Sequence, residues 1–212
     1  WDDLPAPMYN KAFYESCDAL LGISKQTVNI NKMVLGEKTK GKVIDYVPHG
    51  LNPKMFFPID KKSEEFIKFK NEATKGREKD FILFFNSRNI RRKSIPDALL
   101  AWKYFIDSLP KEKADKCLFI LHTELTSDHG TDLTAVHDYI FGEDDNTIIF
   151  STQKLSTVQM NYFYNLADAQ ILLSSAEGWG LSLTEALLTG TPFIANVTGG
   201  MQDQMRFEDK DG

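Results

Sequence analysis

The stretch Ala169-Gln-Ile-Leu-Leu-Ser174-Ser-Ala-Glu177-Gly-Trp-Gly-Leu181-Ser-Leu-Thr-Glu185-Ala-Leu-Leu188-Thr-Gly-Thr-Pro192-Phe-Ile-Ala-Asn-Val197 decides the fold. It reads as an apolar strand over 169–174, a glycine-punctuated loop, a helix over 183–188 and a second apolar strand over 192–197. Two apolar strands joined through a helix make a β-α-β unit, which implies parallel strands covered on both faces. The same alternation runs upstream. Strands are predicted at 19–23, 42–47, 80–85, 117–122 and 147–150, and helices near 26–35, 95–108, 132–141 and 157–166. Ile95, Ala98, Leu99, Trp102, Phe105 and Ile106 recur at helical spacing and form one apolar stripe. The fold class is α/β, a doubly wound parallel sheet.

One seam divides the chain. Val47-Pro48-His49-Gly50 ends a strand, and breakers follow from Asn52-Pro53 to Phe57-Pro58. A charged stretch over 60–80 then shows little strand character. Residues 1–50 read as the tail of one α/β domain plus its crossing, and 51–212 as a second domain. Phe56-Phe57 is expected to anchor the crossing segment. The sequence opens on Trp1 rather than Met, so upstream residues are expected to have been lost.

The 212 residues are 42% hydrophobic and 26% charged, with a net charge of −5, the profile of a soluble globular protein. An acidic surface repels phosphate backbones and argues against nucleic acid as partner. No apolar run reaches the ~20 residues that span a bilayer. Cys17 and Cys117 fit neither a zinc site nor a disulfide framework, which favours a reducing, cytoplasmic setting. With no G-x-G-x-x-G after the first strand and no G-x-x-x-x-G-K-[ST], nicotinamide oxidoreductases and P-loop ATPases are disfavoured.

In open α/β sheets ligands bind where loops leave the carboxyl ends of the strands. After the third strand the loop Asn86-Ser87-Arg88-Asn89-Ile90-Arg91-Arg92-Lys93-Ser94 carries four cations within six positions, suited to a diphosphate. After the sixth, Ala176-Glu177-Gly178-Trp179-Gly180-Leu181 leads into a helix bearing Glu185. Its glycines let backbone N–H groups approach an anion. Glu177 and Glu185 can accept hydrogen bonds from vicinal hydroxyls. After the seventh comes Thr198-Gly199-Gly200. Asp144-Asp145 precedes a strand, at the edge opposite these loops.

The run from Glu177 to Pro192 resembles the Glu–seven residues–Glu signature of family-4 and related retaining GT-B glycosyltransferases. Other segments match in order: Ile23-Ser24 and its helix, Val47-Pro-His-Gly50 through Phe57-Pro58, Arg88 with Lys93, and Gly199-Gly200. The resemblance implies the Rossmann-like C-terminal half of a GT-B fold, preceded by the tail of the acceptor domain. It implies that Arg88 and Lys93 hold a donor diphosphate and, with Glu177, act in catalysis. Glu177 would bind the transferred sugar, the backbone of Gly178, Trp179, Gly180 and Leu181 would cradle sugar and phosphate, and Glu185 would bind ribose. Gln153, within Thr152-Gln153-Lys154, would shelve the base. The donor would be a UDP-, GDP- or ADP-linked sugar, and the acceptor a glycan, lipid or protein. No metal and no cofactor are implied, since Arg and Lys stabilise the leaving diphosphate. The family's N-terminal acceptor domain would precede Trp1 and could bring the protein to a membrane surface. The family's closing helices would follow Gly212.

Plainer readings accompany these. Ser182-Leu-Thr-Glu185 fits a capping box in which Glu185 only folds back to an N–H. Arg91 and Arg92 read as solvated. His49, His122, His129 and His137 lack metal-ligand spacing and read as structural. Tyr162-Phe163-Tyr164 reads as helix packing. Ser87 and Ser94 stand where the family usually has Gly. The competing functions are a GT-B-like nucleotide-sugar epimerase and a non-catalytic nucleotide-binding remnant.

Overall fold

A computed structural model of the chain describes residues 6–142 and 144–205. Trp1 and Gly212, on which the expected truncations rest, lie outside them. The elements in chain order are α1 (Lys11–Ser16), β1 (Ala19–Gly22), α2 (Lys25–Leu35), β2 (Val43–Tyr46), α3 (Glu64–Ala73), β3 (Phe81–Asn86), α4 (Ile95–Asp107) and α5 (Lys111–Ala114). They continue as β4 (Cys117–His122), α6 (Leu133–Phe141), β5 (Ile148–Ser151), α7 (Thr157–Leu166), β6 (Ala169–Leu172), α8 (Leu181–Thr189), β7 (Phe193–Ala195) and α9 (Gly200–Met205). Contacts gather the chain into two compact units. One comprises Trp1–Gly50, Ala176–Leu181 and Val197–Gly212; the other comprises Leu51–Ser175 and Ser182–Asn196.

In the first unit β1 and β2 pair in parallel, Ala19 opposite Val43 through Gly22 opposite Tyr46. The connecting helix α2 starts where the Ser24 hydroxyl accepts the Thr27 N–H at 3.1 Å. It ends at Gly36, whose φ of 53° suits a residue without Cβ. Val28, Val34 and Leu35 are its buried apolar residues, at helical spacing.

The second unit is a five-stranded parallel sheet in the order β5-β4-β3-β6-β7. The inner strands β3 and β4 are apolar on both faces because helices cover both. On one face Phe84 packs against Phe163 and Tyr164 of α7, with Phe66 of α3 in the same core. On the other, Trp102 of α4 lies against Phe81 and Phe119. All five strands run the same way, so the segments following them leave from one edge.

Helices α1, α5 and α9 were not predicted, and two further unforeseen features shape the second unit. The charged 60–80 stretch, for which no helix was predicted, contains α3: Ser63 caps it by accepting the Phe66 N–H at 3.4 Å, and Glu64 and Glu65 occupy its first turn. Phe66 is its one buried residue, so charge hides the helical period. The crossing segment is held by two buried asparagines one turn apart on α7. Asn161 Oδ1 accepts the Phe57 N–H at 3.1 Å, Asn165 Oδ1 accepts the Ile59 N–H at 3.0 Å, and Asn165 Nδ2 donates to the Phe57 carbonyl at 3.0 Å. Phe56 itself is in the core, 5% exposed.

Candidate functional site

Strand β3 ends at Asn86 on the carboxyl edge and releases the basic loop. Arg88 is exposed there, as are Arg91 and Arg92. Lys93 closes a short 3-10 turn and is buried. Beside it Ser94 sits in the left-handed region at φ 49°, ψ 43°, the conformation that accounts for the glycine usual at this place. The loop takes its shape from Asn89, a residue the sequence did not single out. Its buried amide donates to the carbonyls of Thr131 at 2.6 Å and Leu125 at 3.3 Å and accepts the Thr131 N–H at 3.1 Å. Arg91 N–H also donates to the His129 carbonyl at 2.9 Å. Gly130 permits this approach, since a methyl group there would collide with the Asn89 carbonyl and amide.

Glu185 lies in the second turn of α8, and the capping-box arrangement is not formed. Its Oε2 instead accepts the Tyr164 hydroxyl at 2.5 Å and the Asn86 amide at 3.4 Å. Asn86 Nδ2 also donates to the Tyr164 oxygen at 2.9 Å. Three elements, β3, α7 and α8, thus converge on one carboxylate. Burial raises the Glu185 pKa, and hydrogen bonds from Tyr164 and Asn86 oppose that rise. Tyr164, fully enclosed, is held protonated well above the ordinary phenol range, first by burial and then by the neighbouring carboxylate. Its helix-packing role stands, with a hydrogen-bonding one beside it. Of the two hydroxyls in Tyr162-Phe163-Tyr164, nothing in the sequence singled out that of Tyr164.

Thr152, Gln153 and Lys154 follow β5 and are exposed. His122, which ends β4, lies opposite Ser151 in the sheet register. Its Nδ1 lies 2.9 Å from the Ser151 carbonyl, which assigns the ring N–H to Nδ1 and leaves Nε2 as an acceptor. Burial lowers its pKa against that hydrogen bond. At the opposite edge, Asp145 is committed to structure: Oδ1 accepts the Thr147 N–H and hydroxyl at 3.1 and 2.7 Å, and Oδ2 faces His137 Nε2 at 3.3 Å.

The remaining candidate residues, Glu177, Gly178, Trp179, Gly180 and Leu181, belong to the first unit. There the loop is packed backbone against backbone. Gly200 N–H donates to the Gly178 carbonyl at 3.1 Å, and Gln204 Nε2 donates to the Trp179 carbonyl at 2.6 Å. Gly199, at φ 51°, passes so close to Glu177 that a Cβ would overlap its carbonyl. A Cβ at Gly200 would meet the Gly178 carbonyl and Trp179. Gly199 N–H donates to Gln26 Oε1 on α2 at 2.9 Å, and the His49 ring meets the Trp179 edge at 6.5 Å. Glu177 is half-buried, Trp179 is buried and Gly178 is exposed.

Comparison with known proteins bears on this arrangement. Residues 137–210, which contain the Glu177–Pro192 motif, match the family model Glycosyl transferases group 1. No curated protein sequence matches the chain significantly. Similar solved structures include sucrose-phosphate synthase from Thermosynechococcus elongatus, at 21% identity and TM-score 0.69 over 94% of this chain and 46% of that one. A trehalose-6-phosphate structure from E. coli bound with UDP-2-fluoro glucose aligns at 16% identity and TM-score 0.71 over 95% and 51%. A glycosyltransferase from Rickettsia africae ESF-5 aligns at 16% identity and TM-score 0.69 over 98% and 52%. The chain spans about half the length of these structures. The fold is that of the C-terminal, Rossmann-like half of GT-B glycosyltransferases. Among the described residues no helix is long and apolar enough to cross a membrane.

Proposed function

We propose that this chain binds a nucleotide-diphosphate sugar and forms the donor side of a retaining glycosyltransferase acting in the cytoplasm. The observation that carries the reading is the held Glu185 carboxylate at the carboxyl edge of the sheet from which the basic loop also leaves. Arg88 and Lys93 hold the diphosphate and stabilise it as leaving group, a task that otherwise falls to a metal ion. Lys93, being buried, meets an anion with less screening than a solvated lysine would. Glu185 accepts hydrogen bonds from the ribose hydroxyls, and Thr152-Gln153-Lys154 shelves the base. Glu177 binds hydroxyls of the transferred sugar, and the backbone of 178–181 cradles sugar and phosphate. Residues 1–50 are the tail of an acceptor domain.

Four dissociation constants test the division between the glutamates. In calorimetry with chelator present, Glu185→Ala should weaken a nucleoside diphosphate and its nucleotide sugar alike, by roughly 1–3 kcal/mol. Glu177→Ala should spare the nucleoside diphosphate and weaken only the nucleotide sugar. Equal losses for Glu177→Ala across both ligands would reject the division of labour. Loss of all binding on chelation would reject the metal-free reading.

A further inference from the structure

Among the described residues, both hydrogen bonds to the Glu185 side chain fall on the same oxygen. Oε2 takes the Tyr164 hydroxyl and, at 3.4 Å, the Asn86 amide, which fills both of its acceptor directions. Among the described residues no hydrogen bond reaches Oε1, which keeps its acceptor capacity for a ligand. Tyr164 is well suited to fix that division. It is wholly enclosed, its ring lies edge-on to Phe84 at 5.2 Å, and its backbone carbonyl accepts the buried Thr191 hydroxyl at 2.7 Å. The hydroxyl has no freedom to serve another acceptor.

We propose that Tyr164 is a positioning residue, which grips Glu185 by Oε2 and thereby presents Oε1 alone as the acceptor for two neighbouring ribose hydroxyls. This rests on the assignment of Glu185 to the ribose. It adds a cause for selectivity: one fixed oxygen reads a vicinal diol, so ligands lacking that diol gain nothing from the grip. Asn86 supports the grip from β3 by donating to the phenol oxygen at 2.9 Å. The substitution Tyr164→Phe keeps the ring and its packing and removes one O–H donor.

The test uses whichever of uridine, guanosine and adenosine diphosphate binds the wild-type chain best, together with its 2′,3′-dideoxy form. Y164F should weaken the ribonucleotide roughly tenfold, the size of one charge-assisted hydrogen bond, and leave the dideoxy form unchanged. In an E185A background the same substitution should have no effect on either ligand. A purely structural Tyr164 would weaken both ligands together, and that result overturns the proposal. E185A weakening the ribonucleotide while Y164F does not would overturn it too, leaving the ribose assignment standing. No effect of E185A would remove the assignment and the proposal together. Should Y164F lose its cooperative melting, N86A, which withdraws the second donor, carries the same expectation and the same reversal.

Discussion

The loop over 87–94 and the loop over 176–181 both follow sheet strands, yet they are shaped by opposite means. The first is braced by a side chain, the buried amide of Asn89, with its three hydrogen bonds to the 125–131 segment. The second is braced by the absence of side chains, since Gly199 and Gly200 let two backbones touch. On the proposed function, the difference follows from what each loop would offer a ligand. A loop presenting Arg88 and Lys93 needs its long side chains aimed, and an internal amide can do that without occupying the loop's outer surface. A loop presenting peptide groups has to keep its backbone in place, and backbone is fixed most firmly by other backbone at van der Waals distance. Side-chain deletion should therefore injure the first loop, and side-chain addition the second.

The largest effect should come from Gly199→Ala. The methyl group meets the Glu177 carbonyl, which belongs to backbone and cannot rotate away, and the position is left-handed as well. A loss of roughly 3 kcal/mol is expected in denaturant unfolding. Gly190→Ala is the matched control, being left-handed at φ 74° with nothing within 4 Å of the added Cβ. It should lose only the conformational part, about 1 kcal/mol. Equal losses at the two sites would mean that the 176–181 loop yields to Gly199.

Asn89→Ala should come next. It strands the Thr131 N–H and two carbonyls that the amide now serves, at about 2 kcal/mol of stability. Diphosphate binding should fall by more than the stability loss explains, because Arg88 is the residue just before the brace. An Asn89→Ala chain that binds diphosphate normally would show that the basic loop keeps its shape through the Arg91–His129 backbone hydrogen bond alone.

Glu185 should give a smaller effect, read from pH. Burial raises its carboxyl pKa in the fold above the ordinary 4.5, so the folded chain binds that proton more tightly than the unfolded one. The proton's contribution to stability is present below 4.5 and is lost as pH rises through the raised native value. Glu185→Gln does not titrate. The difference in unfolding free energy between wild type and variant should therefore drift against the wild type as pH climbs through that window. The other carboxylates cancel in the difference. A flat difference profile would mean that the Tyr164 and Asn86 hydrogen bonds fully offset burial.

Much of this was legible in the sequence because it was written in periodicity. The strands at Cys117–His122 and Phe81–Asn86 are apolar runs that only a two-sided parallel sheet can bury, and the helix expected over 157–166 is found at Thr157–Leu166. Helix α3 was not legible, because a helix with one buried residue and five charges among ten looks like linker. Nor was the bracing of the site. Asn89 serves partners some forty residues away, and Tyr164 meets a carboxylate twenty-one residues along. Local pattern carries no record of such pairings. Gly199-Gly200 could be recognised by resemblance, but why glycine is required there appears only when the Glu177 carbonyl is seen against it.

The smallest effect is at Ser94, where the two ways of shaping a loop meet. A serine at φ 49° holds a left-handed conformation that disfavours any Cβ by roughly 1–2 kcal/mol. Ser94→Gly removes that strain but also frees the unfolded chain, which returns about 0.4–1 kcal/mol of it. The hydroxyl makes no capping hydrogen bond at the start of α4, so its loss costs little. A net gain near 0.5 kcal/mol should remain, visible as a rise of a few degrees in the unfolding midpoint or less. Diphosphate affinity should stay within twofold, because the brace on this loop is Asn89 and not the φ of Ser94. A gain in stability coupled to a marked loss of binding would instead make Ser94 the device that aims Lys93, and the basic loop would then depend on its backbone as the glycine loop does.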